Sequence, residues 1–345
     1  MVHEVIVVGA GIAGLSLARE LRANGRAPLV LERARGVGGR CATRRVDGQP
    51  VDHGLAFLHG RSLRFLEESA AALDADTIAD WPRVREGNGV PCQPEAFNGV
   101  DTRNAPVAGV SSFAKRLARG LDVRLEARVE VVGLAAQTGT HAGLTWEVGL
   151  ASGERLKAKV LALTMPAPSV IAFLRKMDPP VADLTALVPL LELVRVLPCL
   201  TVIARYPAGT PAPPWEASYP RASASIHTIL HDSSKRAGAP RLILVIQARP
   251  RFSQAQLGSS VESWTRALLE EAAALHGDWV NTPDLVQSHV WRNARVAAGS
   301  ELSGPLVTRL DGGIVLGIAG DGLHGAGGVE GAYLSGMALA ARLLE

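Results

Sequence analysis

The chain has 345 residues, 47% of them apolar and 20% charged, which excludes a disordered segment protein and gives enough length for about two domains. Lys and Arg number 36 against 33 Asp and Glu, with no dense basic run, so no nucleic-acid partner is expected. No stretch approaches the roughly 20 apolar residues of a spanning helix, so no membrane span is expected either.

Cys41, Cys92 and Cys199 lack CxxC spacing and read as thiols of a reducing compartment. With no positively charged leader ahead of the apolar run at Val5, a cytoplasmic location is expected.

In chain order, Val5 to Val8 predict a parallel strand buried on both faces, Ala13 to Ala23 a helix stopping near Gly25, and Leu29 to Leu31 a second strand. Arg61 to Ala75 has helical spacing. Trp81 to Pro106 is rich in Pro, Gly and Asn and predicts loops or a short antiparallel excursion. Ser111 to Ala118 predict a helix, followed by strands at 123–125, 129–134, 144–150 and 160–163. Beyond residue 170, strand-like runs at 200–203, 226–230 and 242–248 precede a helix over Val261 to Leu275. Val315 to Ala319 predict another buried strand, then a glycine-rich turn and a last helix to Leu344.

Gly9-Ala10-Gly11-Ile12-Ala13-Gly14 is a GxGxxG between a strand and a helix. Gly9 permits the turn, Gly11 lets a pyrophosphate approach the backbone, and Gly14 lets helix and strand pack closely. The helix start offers N–H groups and partial positive charge to phosphates. Glu32, 18 positions after Gly14, ends the second strand where a carboxylate accepts ribose hydroxyls and repels a 2′-phosphate. Gly38, Gly39 and Arg40 can then bring a second backbone turn and a guanidinium; the stretch resembles the second glycine motif of the flavoprotein group that includes amine oxidases, and that resemblance favours FAD over NAD. Near the C-terminus, a strand is followed by Gly320-Asp321, which resembles the pattern that in FAD proteins places a carboxylate near the ribityl chain and pyrophosphate. The helix start at Val329, Glu330, Gly331 and Ala332 is expected to face the flavin pyrimidine and stabilise negative charge there. Arg33, His53, Gly54 and Val129 complete the expected cofactor set.

These motifs resemble the renalase-like branch of the FAD-dependent amine oxidoreductases. The similarity runs through GAGIAG, GGRCATRR, VDHG at 51–54, GVSSFAKRLA, PCL, DSSK at 232–235, Trp291-Arg292 and AGDGLHGAGGVEGAYLSG. It implies non-covalent FAD and an α/β fold: a discontinuous Rossmann-like parallel-sheet domain with an inserted α+β substrate domain on a mostly antiparallel sheet. The expected FAD-binding segments are 1–75, 107–168 and 286–345, and the substrate segments 76–106 and 169–285. The branch's activity is hydride transfer from dihydronicotinamide isomers to flavin, followed by reoxidation with oxygen. Six positions depart from its pattern: Leu55, Ala56, Phe57 and Leu58 stand where it usually has Ala, Gln, Tyr and Phe, Leu200 where it has Trp, and Gln247 where it has His; of these, Leu55, Ala56, Leu200 and Gln247 are expected on the substrate side of the flavin. A pocket lined by them is expected to prefer small, largely uncharged donors over dinucleotides.

Trp291, His324 and Gln247 are the candidate catalytic residues, Trp291 because the resemblance places it beside the cofactor. A core Trp and a merely hydrogen-bonded loop His remain the plainer readings. His53 and His59, which flank the loop after the second glycine motif, carry the same two readings as His324. His227 and His231, four apart on a strand candidate, share a face but lack a Cys or acid to complete a ligand set, so no metal is expected. The expected function is an FAD-dependent oxidase taking a hydride from a small organic donor, with oxygen as acceptor. Two alternatives stay open: oxidation of a small amine, and a flavin-binding protein without turnover. Nothing in the sequence sets an oligomeric state.

Overall fold

The computed structural model describes residues 2–71, 77–99, 101–137, 143–177 and 180–345. The chain forms two compact units. Unit 1 comprises Met1–Gly39, Phe113–Val196 and Arg295–Glu345; unit 2 comprises Arg40–Ser112 and Leu197–Ala294.

Unit 1 is built on a parallel sheet. Val2–Val8 pairs with Pro28–Leu31 on one side and Arg155–Leu163 on the other; Asp122–Arg124 and Ile314–Ile318 extend it outward, all parallel. The central strands are apolar because both faces are covered: Ile6, Val7, Val30 and Leu161 have no exposed surface. Arg155–Leu163 changes neighbours along its length. Its first half pairs antiparallel with Gly143–Leu150, which continues to Val129–Gln137, and its second half pairs with Ile314–Ile318.

Helix Ile12–Ala23 and the last helix, Gly328–Leu344, meet almost backbone to backbone. A first side-chain carbon at Gly336 would lie 2.2 Å from the Ala13 carbonyl oxygen, and Ser16 Oγ donates to the Tyr333 carbonyl at 3.0 Å. Only glycine fits at that crossing.

Unit 2 is built on a mostly antiparallel six-stranded sheet, with Leu285–Val296 at one edge, then Val196–Arg205, Ile243–Ala248, Ile226–His231, Ala217–Ser218 and Arg85–Glu86. Side chains alternate between its two faces. Leu200, Val202, Leu244 and Ile246 pack with Trp264 and Leu268 of helix Val261–His276; Ile203, Val245 and Leu230 pack with Phe57 and Trp81. A hairpin, Thr43–Val46 with Gln49–Asp52, precedes a small sheet of Leu58–Gly60, Thr102–Ala105 and Ile78–Ala79.

The units break at other places than the domain boundaries expected from sequence. Residues 40–75 were expected with the nucleotide domain, but their hairpin bonds to Asp232 and Lys235 of unit 2. Helices Ala167–Arg175 and Val188–Glu192, expected in the substrate domain, bury Val170, Leu174 and Leu191 against Leu161 and Leu316 of unit 1. The helix expected over 61–75 runs from Leu63 to Ala71, and its last expected turn lies outside the described residues. Among the described residues, no helix is long and apolar enough to cross a membrane.

Candidate functional site

In unit 1 the parallel strands end together. The Gly9 amide donates to the Leu31 carbonyl, Glu32 N–H to Arg124, Thr164 N–H to Val8 and Ala319 N–H to Leu163, so four loops leave one edge. Ligands of open α/β sheets bind outside such carboxyl ends.

Gly9 has φ +108°, a conformation side chains rarely adopt. A side chain at Gly14 would put its first carbon 2.0 Å from the Gly9 carbonyl oxygen, whereas at Gly11 nothing lies within 4 Å. Gly14 is therefore fixed by packing, and Gly11 borders open space. Helix Ile12–Ala23 starts there without a side-chain cap, so no capping side chain takes up its first amides. Ile12 and Ala13 are buried in that first turn.

The Glu32 carboxylate accepts the amides of Ala10 at 2.8 Å and Ala34 at 2.9 Å. Each oxygen keeps a second lone pair, so holding the loop is compatible with accepting a hydroxyl. Arg33 is exposed beside it. The Ala127 amide donates to the Glu32 carbonyl, which brings the buried Val129 segment alongside.

The second glycine turn closes on the first. The Gly38 amide donates to the Ala10 carbonyl at 2.8 Å, and a side chain at Gly39 would reach 3.7 Å from Gly11 Cα. Thr164 Oγ1 donates to the carbonyls of Val8 and Gly9, both at 2.9 Å, a support that sequence reasoning missed because Thr164 sits in an unpatterned TMPAP.

The C-terminal loop folds back on its own helix. Gly327 and Gly328 both have positive φ, +59° and +56°, and the Gly320 amide donates to Ser335 Oγ. A side chain at Gly331 would meet the carbonyl oxygens of His324 at 3.4 Å and Asp321 at 3.5 Å. Asp321, Val329, Glu330 and Ala332 are buried around that turn. His324 accepts the Ala326 amide at its Nδ1, 3.2 Å away, and its carbonyl accepts from Gly327. The structure thus gives His324 a turn-holding role.

Unit 2 gathers a second set. Trp291 Nε1 donates to the His53 carbonyl at 3.1 Å, and Gln247 Nε2 to the Gly54 carbonyl at 2.7 Å. Gly54 admits no side chain: its first carbon would sit 2.3 Å from the Arg40 carbonyl oxygen and 3.1 Å from the Trp291 ring. The rings of His53, His289 and Trp291 pack together, with centroids 4.2 to 5.1 Å apart. Arg44 lies against them, with Nη2 3.1 Å from His289 Nδ1 and Nη1 donating to Gln287 Oε1.

Burial first, then the Arg44 charge and the proximity of the second imidazole, His289, push the His53 pKa down to about 3; burial and Arg44 likewise lower that of His289. Both imidazoles are neutral at physiological pH. His289 and Arg44 were missed from sequence: in Leu285–Val296 both faces mix polar and apolar residues, which blurs the alternation of a strand, and Arg44 lies in the separate short strand Thr43–Val46.

VDHG and DSSK meet beneath this set in a fully buried ion cluster. Lys235 Nζ lies 3.0 Å from Asp52 and 2.7 Å from Asp232, and Arg236 Nη1 lies 2.7 Å from Asp232. Thr43 Oγ1 and the Val110 amide donate to the other Asp52 oxygen, and Lys235 sits over the Trp81 ring. Two cations answer two carboxylates, so the cluster is near neutral and fixes the strand Gln49–Asp52, which ends just before His53.

Two expectations are corrected here. Leu200 faces helix Val261–His276, not the Gln247 face, because strand alternation puts Thr201 opposite Gln247. His227 and His231 do not share a face by simple alternation: the ladder shifts register between Ile226 and Thr228. His227 instead contacts Cys92 and Thr228, while His59 is paired with Asp101 at 3.0 Å.

Comparison with known proteins gives two family matches: an NAD(P)-binding Rossmann-like domain over residues 7–69, and flavin containing amine oxidoreductase over residues 71–344. Putrescine oxidase of Kocuria rosea is 34% identical over 113 residues, 33% of this chain and 23% of that protein. Pseudooxynicotine dehydrogenase of a Pseudomonas species is 40% identical over 57 residues, 16% of this chain and 12% of that protein. The matched stretches therefore span less than a quarter of these relatives. Among solved structures, cyclohexylamine oxidase from Brevibacterium oxydans covers 100% of both chains with TM-score 0.69 at 14% identity. A putrescine-bound putrescine oxidase matches with TM-score 0.68 at 16% identity, over 100% of this chain and 99% of that one. At such identities these structures share the fold.

Proposed function

The chain belongs to the flavin containing amine oxidoreductase family, and from that premise we propose an FAD-dependent oxidoreductase that takes a hydride from a small organic donor. FAD is the family's cofactor, and the residues present fit it. Open space at Gly11 beside uncapped helix amides suits a pyrophosphate; Glu32 suits a ribose. In the proposed assignment, Gly9 to Gly14, Glu32, Gly39, Asp321 and the helix start at Val329 to Ala332 hold the cofactor. Arg33, Arg40, His53, Gly54 and Val129 join them on the strength of the motifs. When bound, FAD supplies the two-electron acceptor, and oxygen is proposed to restore it. A cytoplasmic, renalase-like enzyme is the finer reading.

One observation carries the donor class. Arg44 has no carboxylate partner among the described residues, while Asp52 and Asp232 are answered by Lys235 and Arg236. The cluster around Trp291 is therefore net positive, with its imidazoles neutral. A protonated amine is repelled there; an uncharged or anionic donor is not. Trp291 and Gln247 are assigned to positioning, since their polar atoms hold the His53 and Gly54 carbonyls. The test is anaerobic bleaching of the bound flavin by dihydronicotinamides, uncharged donors and diamines. Bleaching by the first two classes is expected. The family match favours amine oxidation as a second reading, and rapid bleaching by putrescine with release of ammonia would put it first.

A further inference from the structure

On the reading that the cluster around Trp291 receives the donor, we propose that Arg44 forms a carboxylate subsite in unit 2. It selects donors that carry a carboxylate beside a planar apolar body. By strand alternation Gln287, His289 and Trp291 share one face of Leu285–Val296. Arg44, from the hairpin strand Thr43–Val46, lies against the first two: Nη1 donates to Gln287 Oε1 at 3.2 Å, and Nη2 is 3.1 Å from His289 Nδ1. A guanidinium only donates, so His289 Nδ1 accepts that bond. With its pKa lowered by burial and by Arg44, the His289 ring is neutral and carries its proton on Nε2. That N–H has no hydrogen-bond partner among the described residues. Arg44 engages two of its five N–H groups, so donors remain for a bidentate carboxylate. Arg44 and His289 thus offer donors and no acceptor, which suits a carboxylate and not an ammonium.

A structural duty explains only the two bonds, which tie the hairpin to the edge strand. It does not explain the charge. Arg205 and Arg236, likewise withdrawn from solvent in unit 2, are answered by Asp284 and Asp232. Arg44 instead meets a neutral amide and a neutral imidazole. Burial lowers its pKa, as it does for a cation drawn from water without a counter-charge, yet a guanidinium keeps its proton. A ligand carboxylate supplies the missing charge. Arg44, His289 and Trp291 are half-buried rather than sealed, so a small molecule can reach them. The Trp291 ring, its centroid 4.2 Å from that of His289, gives apolar surface beside the charge.

The experiment titrates the FAD-loaded protein with sodium benzoate, benzamide and benzylamine hydrochloride by calorimetry, at neutral pH and constant ionic strength. Benzoate is expected to bind tightest and benzylamine weakest. Arg44→Gln should weaken benzoate at least about tenfold and leave benzamide within about twofold. Arg44→Lys keeps the charge without the fork and should fall between. If the Gln variant does not fold, the same contrast between benzoate and benzamide is read in the Lys variant. No heat from benzoate beyond that of matched chloride, benzoate affinity unchanged by the substitutions, or benzylamine bound tighter than benzoate overturns the proposal. Anaerobic bleaching of the same samples separates the subsite from the reading it rests on. Bleaching by uncharged donors without benzoate binding overturns the carboxylate subsite alone. Benzoate binding that depends on Arg44, with no bleaching by any donor, supports the subsite and overturns the hydride-taking oxidoreductase.

Discussion

The Glu32 carboxylate accepts the Ala10 amide at 2.8 Å, across 22 positions of sequence. The residue that suits the ribose thus also shapes the first glycine loop. Glu32→Ala should weaken FAD binding by roughly 1.5–3 kcal/mol, ten- to a hundredfold or somewhat more. It should also lower the melting temperature of the FAD-free protein, because the loop loses its acceptor. Glu32→Gln should fall between. Equilibrium dialysis and thermal scans of the apoprotein read the two effects separately; an unchanged FAD affinity would remove Glu32 from the site.

Gly11 and Gly14 should fail in different ways. A methyl at Gly14 collides with the Gly9 carbonyl oxygen 2.0 Å away, so Gly14→Ala should cost about 1–3 kcal/mol of stability or more. A methyl at Gly11 meets nothing, so Gly11→Ala should fold normally and lose FAD. Denaturant unfolding paired with flavin content distinguishes them. A destabilised Gly11→Ala would show that the space is not reserved for a ligand.

His53 sets an acid limit. Below about pH 6.5 the unfolded chain gains a proton at His53 that the folded chain refuses until about pH 3. Stability therefore falls as pH falls through that window, by up to about 1.4 kcal/mol per unit from this one group. His53→Gln should flatten the slope of unfolding free energy between pH 6 and pH 4 (on the order of one proton). A parallel, unflattened curve would mean that His53 is protonated in the folded protein.

Lys235 should be intolerant of neutral replacement. Lys235→Met leaves Asp52 and Asp232 buried with only Arg236 between them, which should cost about 3–5 kcal/mol. Urea unfolding measures it. A loss below about 1 kcal/mol would place the cluster in solvent contact.

The nucleotide half was legible because glycine loops tie residue type to backbone shape: Gly9 and Gly39 take positive φ, Gly14 leaves no room for a side chain, and the Glu32 carboxylate accepts two loop amides. The substrate half was less so. Leu200 was misplaced by reading a strand position without its face, and a one-residue shift of face exchanges pocket for core. His289 and Arg44 escaped because their meaning comes from strands far apart in sequence, with no local spacing to announce it. DSSK was recognisable as a motif, yet its role as the counter-charge of Asp52 needed the fold.

The crossing of Ser16 and Tyr333 has a consequence for biosynthesis. A ribosome making about 5–20 residues per second finishes Tyr333 roughly 15–60 seconds after Ser16, the two being 317 positions apart. Until then the first helix has no partner for its glycine-bearing flank, and the strand Ile314–Ile318 is missing from the sheet. Flavin capture is therefore expected to follow synthesis of the last helix. The fraction of molecules that become yellow should then follow how much free FAD is present once the last helix has packed on the first.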